Sequence, residues 1–279
     1  MSRYTYNKNF FEKIDCEKKA YWLGFLYADG CINRYYRNEK LNAMSLEIGL
    51  SDKDRDHLQK FLSDIESNVP IKSKVVKLNG EKYNSSKVVV CNTKMCRDLI
   101  KLGCTPQKSL TLTFPNENIL PKQYIRDFIR GYFDGDGCIF FGEYDSLKSL
   151  KIIIVGTFNM VKAIEYHFKE NQININPMIK QKGKAYQMVI SGFDNINEIH
   201  TYFYENSTVY LNRKHEKFTE SLNYINQNRK STSGKTGVYF DKRSNRWVAS
   251  FCFDGKRKQL GSFINKEDAI KARKEAESL

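Results

Sequence analysis

The chain has 279 residues, 41% of them hydrophobic and 13% aromatic, enough to bury the core of roughly one large domain or two to three small ones. No apolar run is long enough for a membrane span, and four scattered histidines with no HExxH pairing argue against a zinc hydrolase. Forty-six Lys and Arg against 32 Asp and Glu leave a net charge of +14 and a pI near 9.3, which implies a polyanionic partner, nucleic acid ahead of membrane.

Seven cysteines in no framework spacing read as reduced thiols, and Cys91, Cys96 and Cys104 fit no zinc template. The opening Met1–Tyr6 is polar, without a signal-peptide core. The expected location is intracellular, in the cytoplasm of a bacterial host or in an organelle, and not secreted.

A short polar lead over 1–19 is anchored by Phe10, Phe11 and Ile14. A helix then ends in Trp22-Leu23-Gly24-Phe25-Leu26-Tyr27-Ala28-Asp29-Gly30. Gly24 and Ala28 share one face, large apolar residues fill the others, and Gly30 suits a left-handed cap. Strands follow over 31–37 and 41–50. The second alternates Met44, Leu46, Ile48 and Leu50 against Ser45, Glu47 and Gly49. A helix over 52–65 takes Ser51 as its N-cap. Strands over 71–78 and 87–91 flank a loop at Asn79-Gly80, and a helix over 93–102 stops at Gly103. Residues 104–121 hold Pro106, Pro115 and Pro121 and should run extended.

The order then restarts. A helix ends in Ile129-Arg130-Gly131-Tyr132-Phe133-Asp134-Gly135-Asp136-Gly137. Strands over 138–143 and 148–157, a helix over 160–171, strands over 177–181 and 185–191, and a helix over 196–205 complete an internal repeat. Residues 226–236, rich in Ser, Asn and Lys, read as a flexible linker. Three short strands over 237–240, 246–253 and 256–263, with turns at Ser244-Asn245 and Asp254-Gly255, precede a helix over 266–277. The expected division is a first repeat over 1–103, a linker over 104–121, a second repeat over 122–224, a flexible linker over 225–236 and a small domain over 237–279.

Small residues four apart, Gly24/Ala28 and Gly131/Gly135, let two helix backbones approach closely. Asp29 and Asp136 would then sit side by side, two hard oxygen donors suited to a metal ion. They are 107 residues apart; Lys108 follows Asp29 by 79, Lys214 follows Asp136 by 78, and Asp52 and Asn159 each follow their acid by 23.

In these two motifs, each followed by Cys-Ile, the chain resembles the LAGLIDADG homing endonucleases over about residues 20–218. Tyr27 replaces the first acid of the motif in copy one; copy two keeps Asp134. The resemblance implies an α+β fold in which two pseudo-symmetric αββαββα repeats form a DNA-binding saddle. It implies Mg²⁺, two or three divalent ions shared by Asp29 and Asp136 with the main-chain carbonyls of Ala28 and Gly135. Lys108 and Lys214 would stabilise charge, and Asp52 and Asn159 would position solvent. Cleavage would cross the minor groove and leave 3′ overhangs on a long asymmetric double-stranded site, with the protein a monomer encoded within an intron. Arg34, Tyr36, Arg37, Lys72, Lys74, Lys77 and Lys87 would face DNA from the first repeat. Lys148, Lys151, Lys180, Lys182, Lys184 and Gln187 would do so from the second.

The C-terminal stretch, through Gly237-Val238, Arg246-Trp247-Val248-Ala249, Leu260-Gly261-Ser262-Phe263 and its Ala-rich helix, resembles the ethylene-response-factor DNA-binding domain of plants. Arg243, Arg246, Trp247, Lys256, Arg257 and Lys258 would then touch DNA. An intron RNA maturase and a catalytically inactive DNA-binding regulator are the alternatives. Retention of both acids favours the enzyme.

Overall fold

The computed structural model describes residues 4–78, 80–144, 147–173, 175–228, 233–235, 237–253 and 256–277. Side chains are described at all of these except 78, 143–144, 147–148, 227–228, 252–253 and 256–257. Two compact bodies result, Met1–Ser221 and Leu222–Leu279.

In the first body one order of elements occurs twice. The first repeat runs α1 (Glu17–Asp29), β1 (Gly30–Arg37), β2 (Lys40–Ser51), α2 (Arg55–Asp64), β3 (Lys72–Leu78), β4 (Glu81–Val90) and α3 (Thr93–Lys101). The second runs α4 (Ile125–Asp136), β5 (Gly137–Tyr144), β6 (Leu147–Gly156), α5 (Phe158–Glu170), β7 (Met178–Lys182), β8 (Ala185–Ser191) and α6 (Phe193–Tyr204). Each repeat holds a four-stranded antiparallel sheet, ordered β1-β2-β4-β3 in one and β5-β6-β8-β7 in the other. Strand alternation sets Ile32, Leu46, Ile48, Val88 and Val90 on a buried face against α2 and α3. Ile139, Ile152, Ile154, Met188 and Ile190 do the same against α5 and α6. The opposite face of each sheet is left open.

α1 and α4 form the centre. Every residue of α1 from Ala20 to Tyr27 is buried, because apolar side chains fill all its faces. A Cβ at Gly24 would run into the Phe128 carbonyl, and one at Gly131 into the Tyr21 carbonyl, so the helices meet backbone to backbone. Arg130, fully buried on α4, reaches Glu17 of α1 at 2.7 Å and Asp127 at 2.8 Å.

Several local expectations are corrected. Gly30 and Gly137 do not cap in the left-handed region; their φ/ψ values of −77/141 and −90/156 are extended, and each helix passes directly into a strand. Glycine is needed there for space: a Cβ would strike Leu26 at Gly30 and Phe133 at Gly137. Ser51 makes no capping bond; a 3₁₀ turn at Asp52–Asp54 opens the helix instead. The 104–121 stretch is not extended throughout, since a 3₁₀ turn at Lys108–Leu110 follows a left-handed Gln107 with φ of 56°. The second repeat continues into α7 (Asn212–Asn228), so the first residues of the expected flexible linker are helical. The body boundary falls inside α7. Residues 229–232 lie outside those described, as do Asn79 and the Asp254-Gly255 turn.

The second body holds β9 (Val238–Asp241), β10 (Arg246–Phe253), β11 (Lys256–Phe263) and α8 (Lys266–Glu277), with the strands ordered β11-β10-β9. Val238, Ala249 and Ala269 form its core, with Trp247, Leu260, Phe263, Ile270 and Ala272 packed around them.

Candidate active site

Asp29 and Asp136 are the last residues of α1 and α4, carried to one place by the glycine crossing. A Cβ at Gly135 would strike the Ala28 Cβ and lie 3.5 Å from Asp29 Oδ2. The Asp29 carboxylate therefore rests against the other helix end. Burial, then the neighbouring Asp136 charge, pushes Asp29 up to about 6, against the opposing pull of Lys214 and Lys108. Burial raises Asp136 as well, again opposed by both lysines. Both residues are nonetheless exposed to solvent.

The two lysines sit under the acids, each only 7% exposed, and are not solvated loop charges. Lys108 Nζ donates to the carbonyl of Gly30. Lys214 Nζ donates to the carbonyls of Phe133 at 2.7 Å, Asp134 at 2.6 Å and Gly135 at 3.1 Å. Unpaired carbonyls gather at a helix C-terminus and carry its partial negative charge, so an ammonium is held there without a carboxylate.

Each lysine-bearing segment is fastened to the other repeat. Thr157, at the start of α5, donates to the Leu112 carbonyl at 2.6 Å and so holds the turn that begins with Lys108. Asp54, just before α2, takes Arg213 through two bonds of 2.8 Å, one residue before Lys214. Asn212 Nδ2 donates to Asp56 at 2.8 Å, and Lys60 Nζ to the Tyr210 carbonyl at 2.9 Å. Sequence reasoning missed Asp54, Asp56, Lys60 and Arg213. The run Asp52-Lys53-Asp54-Arg55-Asp56 carries the signal, an excess of acid at a helix start beyond what capping uses.

The Tyr27/Asp134 difference has a structural equivalent on each side. The Tyr27 hydroxyl donates to the Leu102 carbonyl at 2.5 Å. Asp134 Oδ2 accepts from the Leu211 amide and from the Tyr21 hydroxyl, both at 2.7 Å. Each ties a motif helix to the segment that leads into its lysine.

Asp52 and Asn159 lie apart from this cluster. Asp52 Oδ1 accepts from Ser86 and, at 3.3 Å, from Ser73. Asn159 is exposed on the first turn of α5, where Thr157 supplies the cap. Their equal spacing from the acids is not structural equivalence. Gly30 pairs with Ile48 but Gly137 with Ile154, and the extra residue is taken up in the irregularity at Tyr35/Tyr36. Asp52 thus matches Phe158.

Among the described residues no group of three or more His, Cys, Asp or Glu is placed to hold a metal. The donors at the helix ends are the carboxylates of Asp29 and Asp136, and the Gly135 carbonyl is already shared with Lys214. Two hard carboxylates, with the rest of the shell left to water and phosphate oxygens, match what Mg²⁺ takes in phosphoryl chemistry. The residues present fit such an ion.

Register places Lys72, Lys74 and Lys87 on the open face of the first sheet, and Lys151, Lys180, Lys182 and Gln187 on that of the second. Arg34 and Lys77 alternate to the other side and are exposed, Arg34 in the middle of β1 and Lys77 near the end of β3. Tyr36 and Arg37 follow the irregularity at the end of β1, and Lys184 is in the β7–β8 turn. In the second body Arg243, Arg246 and Lys258 are exposed, whereas Trp247 packs with Phe240 at 5.2 Å and beneath Lys266 at 5.8 Å. The side chains of Lys148, Lys256 and Arg257 lie outside those described.

No family model matches the chain, and no curated protein matches it. Solved structures match its fold. Meganuclease I-SmaMI bound to uncleavable DNA with a TTGT central four gives a TM-score of 0.54 at 12% identity, over 80% of this chain and 93% of that one. I-SmaMI bound to its uncleaved DNA target in the presence of calcium ions gives 0.52 at 13% identity, over 75% and 92%. The LAGLIDADG homing endonuclease I-GzeII in complex with its DNA target gives 0.50 at 12% identity, over 78% and 93%. The chain has the fold of the LAGLIDADG homing endonucleases. No helix among the described residues is long and apolar enough to cross a membrane.

Proposed function

We propose that the protein is a sequence-specific endonuclease that hydrolyses both strands of duplex DNA in a metal-dependent reaction. The observation that carries this reading is the pair Asp29 and Asp136 at two abutting helix ends, each with a buried lysine beneath it. Asp29 and Asp136 would hold the divalent ions, Mg²⁺ by donor chemistry. The chemistry such ions supply is activation of water and neutralisation of charge on the scissile phosphate. Lys108 and Lys214 provide fixed positive charge that needs no reorganisation as charge develops. Asp52 and Asn159, one held by the sheet and one at the surface, act at most on outlying solvent. The open faces of the two sheets read the major groove on either side, which puts the cut across the minor groove between them with 3′ overhangs. Because one chain supplies both repeats, it acts as a monomer on an asymmetric site. Such an enzyme serves the homing of an intron that encodes it. The second body, with Arg243, Arg246 and Lys258 exposed, adds DNA contacts of its own.

The test begins with a randomised duplex library, enriched for bound molecules with the full chain in Ca²⁺ and then challenged in Mg²⁺. The wild-type chain should cut the selected duplex on both strands. Asp29→Asn and Asp136→Asn should each keep binding and lose double-strand cleavage. Near wild-type cutting by either variant overturns the assignment; binding without cleavage by the wild-type chain supports the regulator instead.

A further inference from the structure

We propose that the two repeats read DNA by different chemistry: the second senses thymine methyl groups through an apolar strip, and the first forms hydrogen bonds to base edges. This rests on the endonuclease reading above. The open face of the second sheet carries a row straight across the strands, Cys138–Ile153–Val189–Met178. Phe140 lies beside it on β5 and Val155 on β6. Phe140 is 46% exposed and Met178 63%. These residues are not surplus core, since the sheet's other face already buries Ile139, Ile152, Ile154, Met188 and Ile190. The Phe140 ring lies along its strand over Gly142, where an added Cβ would come within 2.6 Å of it.

Two positions change character in the first sheet and decide the contrast, while Cys31 and Val89 repeat Cys138 and Val189 and Gly49 stands for Val155. Asn33 stands for Phe140, Glu47 for Ile153 and Lys87 for Gln187, with Glu47 and Lys87 paired at 3.1 Å. The contrast lies on the open faces; on the buried faces the matching pairs Ile32/Ile139, Leu46/Ile152, Ile48/Ile154, Val88/Met188 and Val90/Ile190 are all apolar.

Charge selects the occupant. The strip is bordered on its own face by Lys151, Lys180 and Lys182, and it starts at Cys138, two residues after Asp136. A surface with a basic border, continuous with the acid pair, suits duplex DNA. Within the major groove the apolar group on offer is the thymine C5-methyl. A side chain with neither donor nor acceptor discriminates there by methyl contact.

The experiment takes the duplex selected by the full chain in Ca²⁺ and replaces thymidine by deoxyuridine in one half-site at a time, which deletes only the methyls. Affinity should fall about fourfold per contacted methyl in one half-site and by less than twofold in the other. Phe140→Asn and Ile153→Gln should each abolish that sensitivity, which assigns the half-site to the second repeat. Equal sensitivity in both halves, or none, overturns the inference while leaving the endonuclease reading intact. Failure to select any duplex overturns both. Concentration-dependent dimerisation of the free chain, removed by Met178→Lys, would make the strip a protein interface and also overturn it.

Discussion

Among the described residues Lys108 and Lys214 are two of the least exposed charges, and each spends its donors on main-chain carbonyls at a helix end. Such a lysine contributes little to non-specific attraction and much to the field at the acids. Lys108→Met and Lys214→Met should each lower the cleavage rate by roughly a hundredfold or more, the cost of removing one fixed stabilising group, with little loss of affinity. Lys74→Ala and Lys182→Ala, on the open faces, should weaken binding and reduce its salt slope by about one unit each. Single-turnover rates and binding isotherms over a salt series separate the two behaviours; a purely affinity defect in Lys108→Met would make it a backbone contact.

His57 offers a second residue-scale test. It lies fully buried among Tyr21, Trp22 and Phe25 and meets the Tyr21 hydroxyl at 3.0 Å. That hydroxyl donates to Asp134, which leaves its oxygen to accept from His57 Nε2. Burial lowers the ring from 6.5 to about 3. As pH falls, the unfolded chain takes up this proton first. The contribution of His57 to stability is therefore complete above 6.5 and is lost between 6.5 and about 3, at about 1.4 kcal/mol per pH unit. Asp29 and Asp134, raised by burial, act with the opposite sign, since the folded state protonates them first. Comparison with His57→Gln isolates one term: the wild-type acid limb between pH 6 and 4 should be steeper by one proton. Parallel curves in chemical denaturation would overturn this.

At the scale of elements, the α1–α4 crossing does two jobs with the same glycines. It is the innermost packing of the first body, and it sets the separation of the acids. Gly131→Ala places a methyl against the Tyr21 carbonyl, which side-chain rotation cannot relieve. It should cost about 2–3 kcal/mol or more and suppress cleavage by parting the helix ends. Gly49→Ala, with open space around its Cβ, should leave stability within about 0.5 kcal/mol by chemical denaturation. The acids and the turn composition made the two motif helices legible from spacing alone. The end of α7 was not legible, because Asn226, which suggests a linker, stands exposed on the helix.

For the whole molecule, the fastening of each lysine segment by the opposite repeat joins the two repeats into one unit. Asp54→Asn should therefore impair cleavage at the strand served by Lys214, measured as nicking in place of double-strand breaks. Ending the chain at Asn228, after α7, should leave a folded protein that still cuts, because both acids, both lysines and both sheets precede that point. Its affinity should fall, by up to roughly 10²–10⁴ if the second body contacts DNA independently, and its footprint should shorten. An unchanged footprint and affinity would leave the second body without a DNA-binding role.

What the sequence by itself determined was the order of elements, their repetition and the acid at each motif end. Those are local quantities: a period of two or 3.6, a glycine four residues from another small residue, an acid before a strand. The tertiary structure alone decided that the lysines are buried, that Gly30 and Gly137 are extended and not left-handed, and that Asp54 reaches Arg213. The equal offsets of Asp52 and Asn159 show the limit from the other side, since one residue of strand irregularity breaks an equivalence that counting cannot see. A local pattern reports which face a residue occupies; its partner lies from 45 to 159 positions away, and only the packed chain brings the two together.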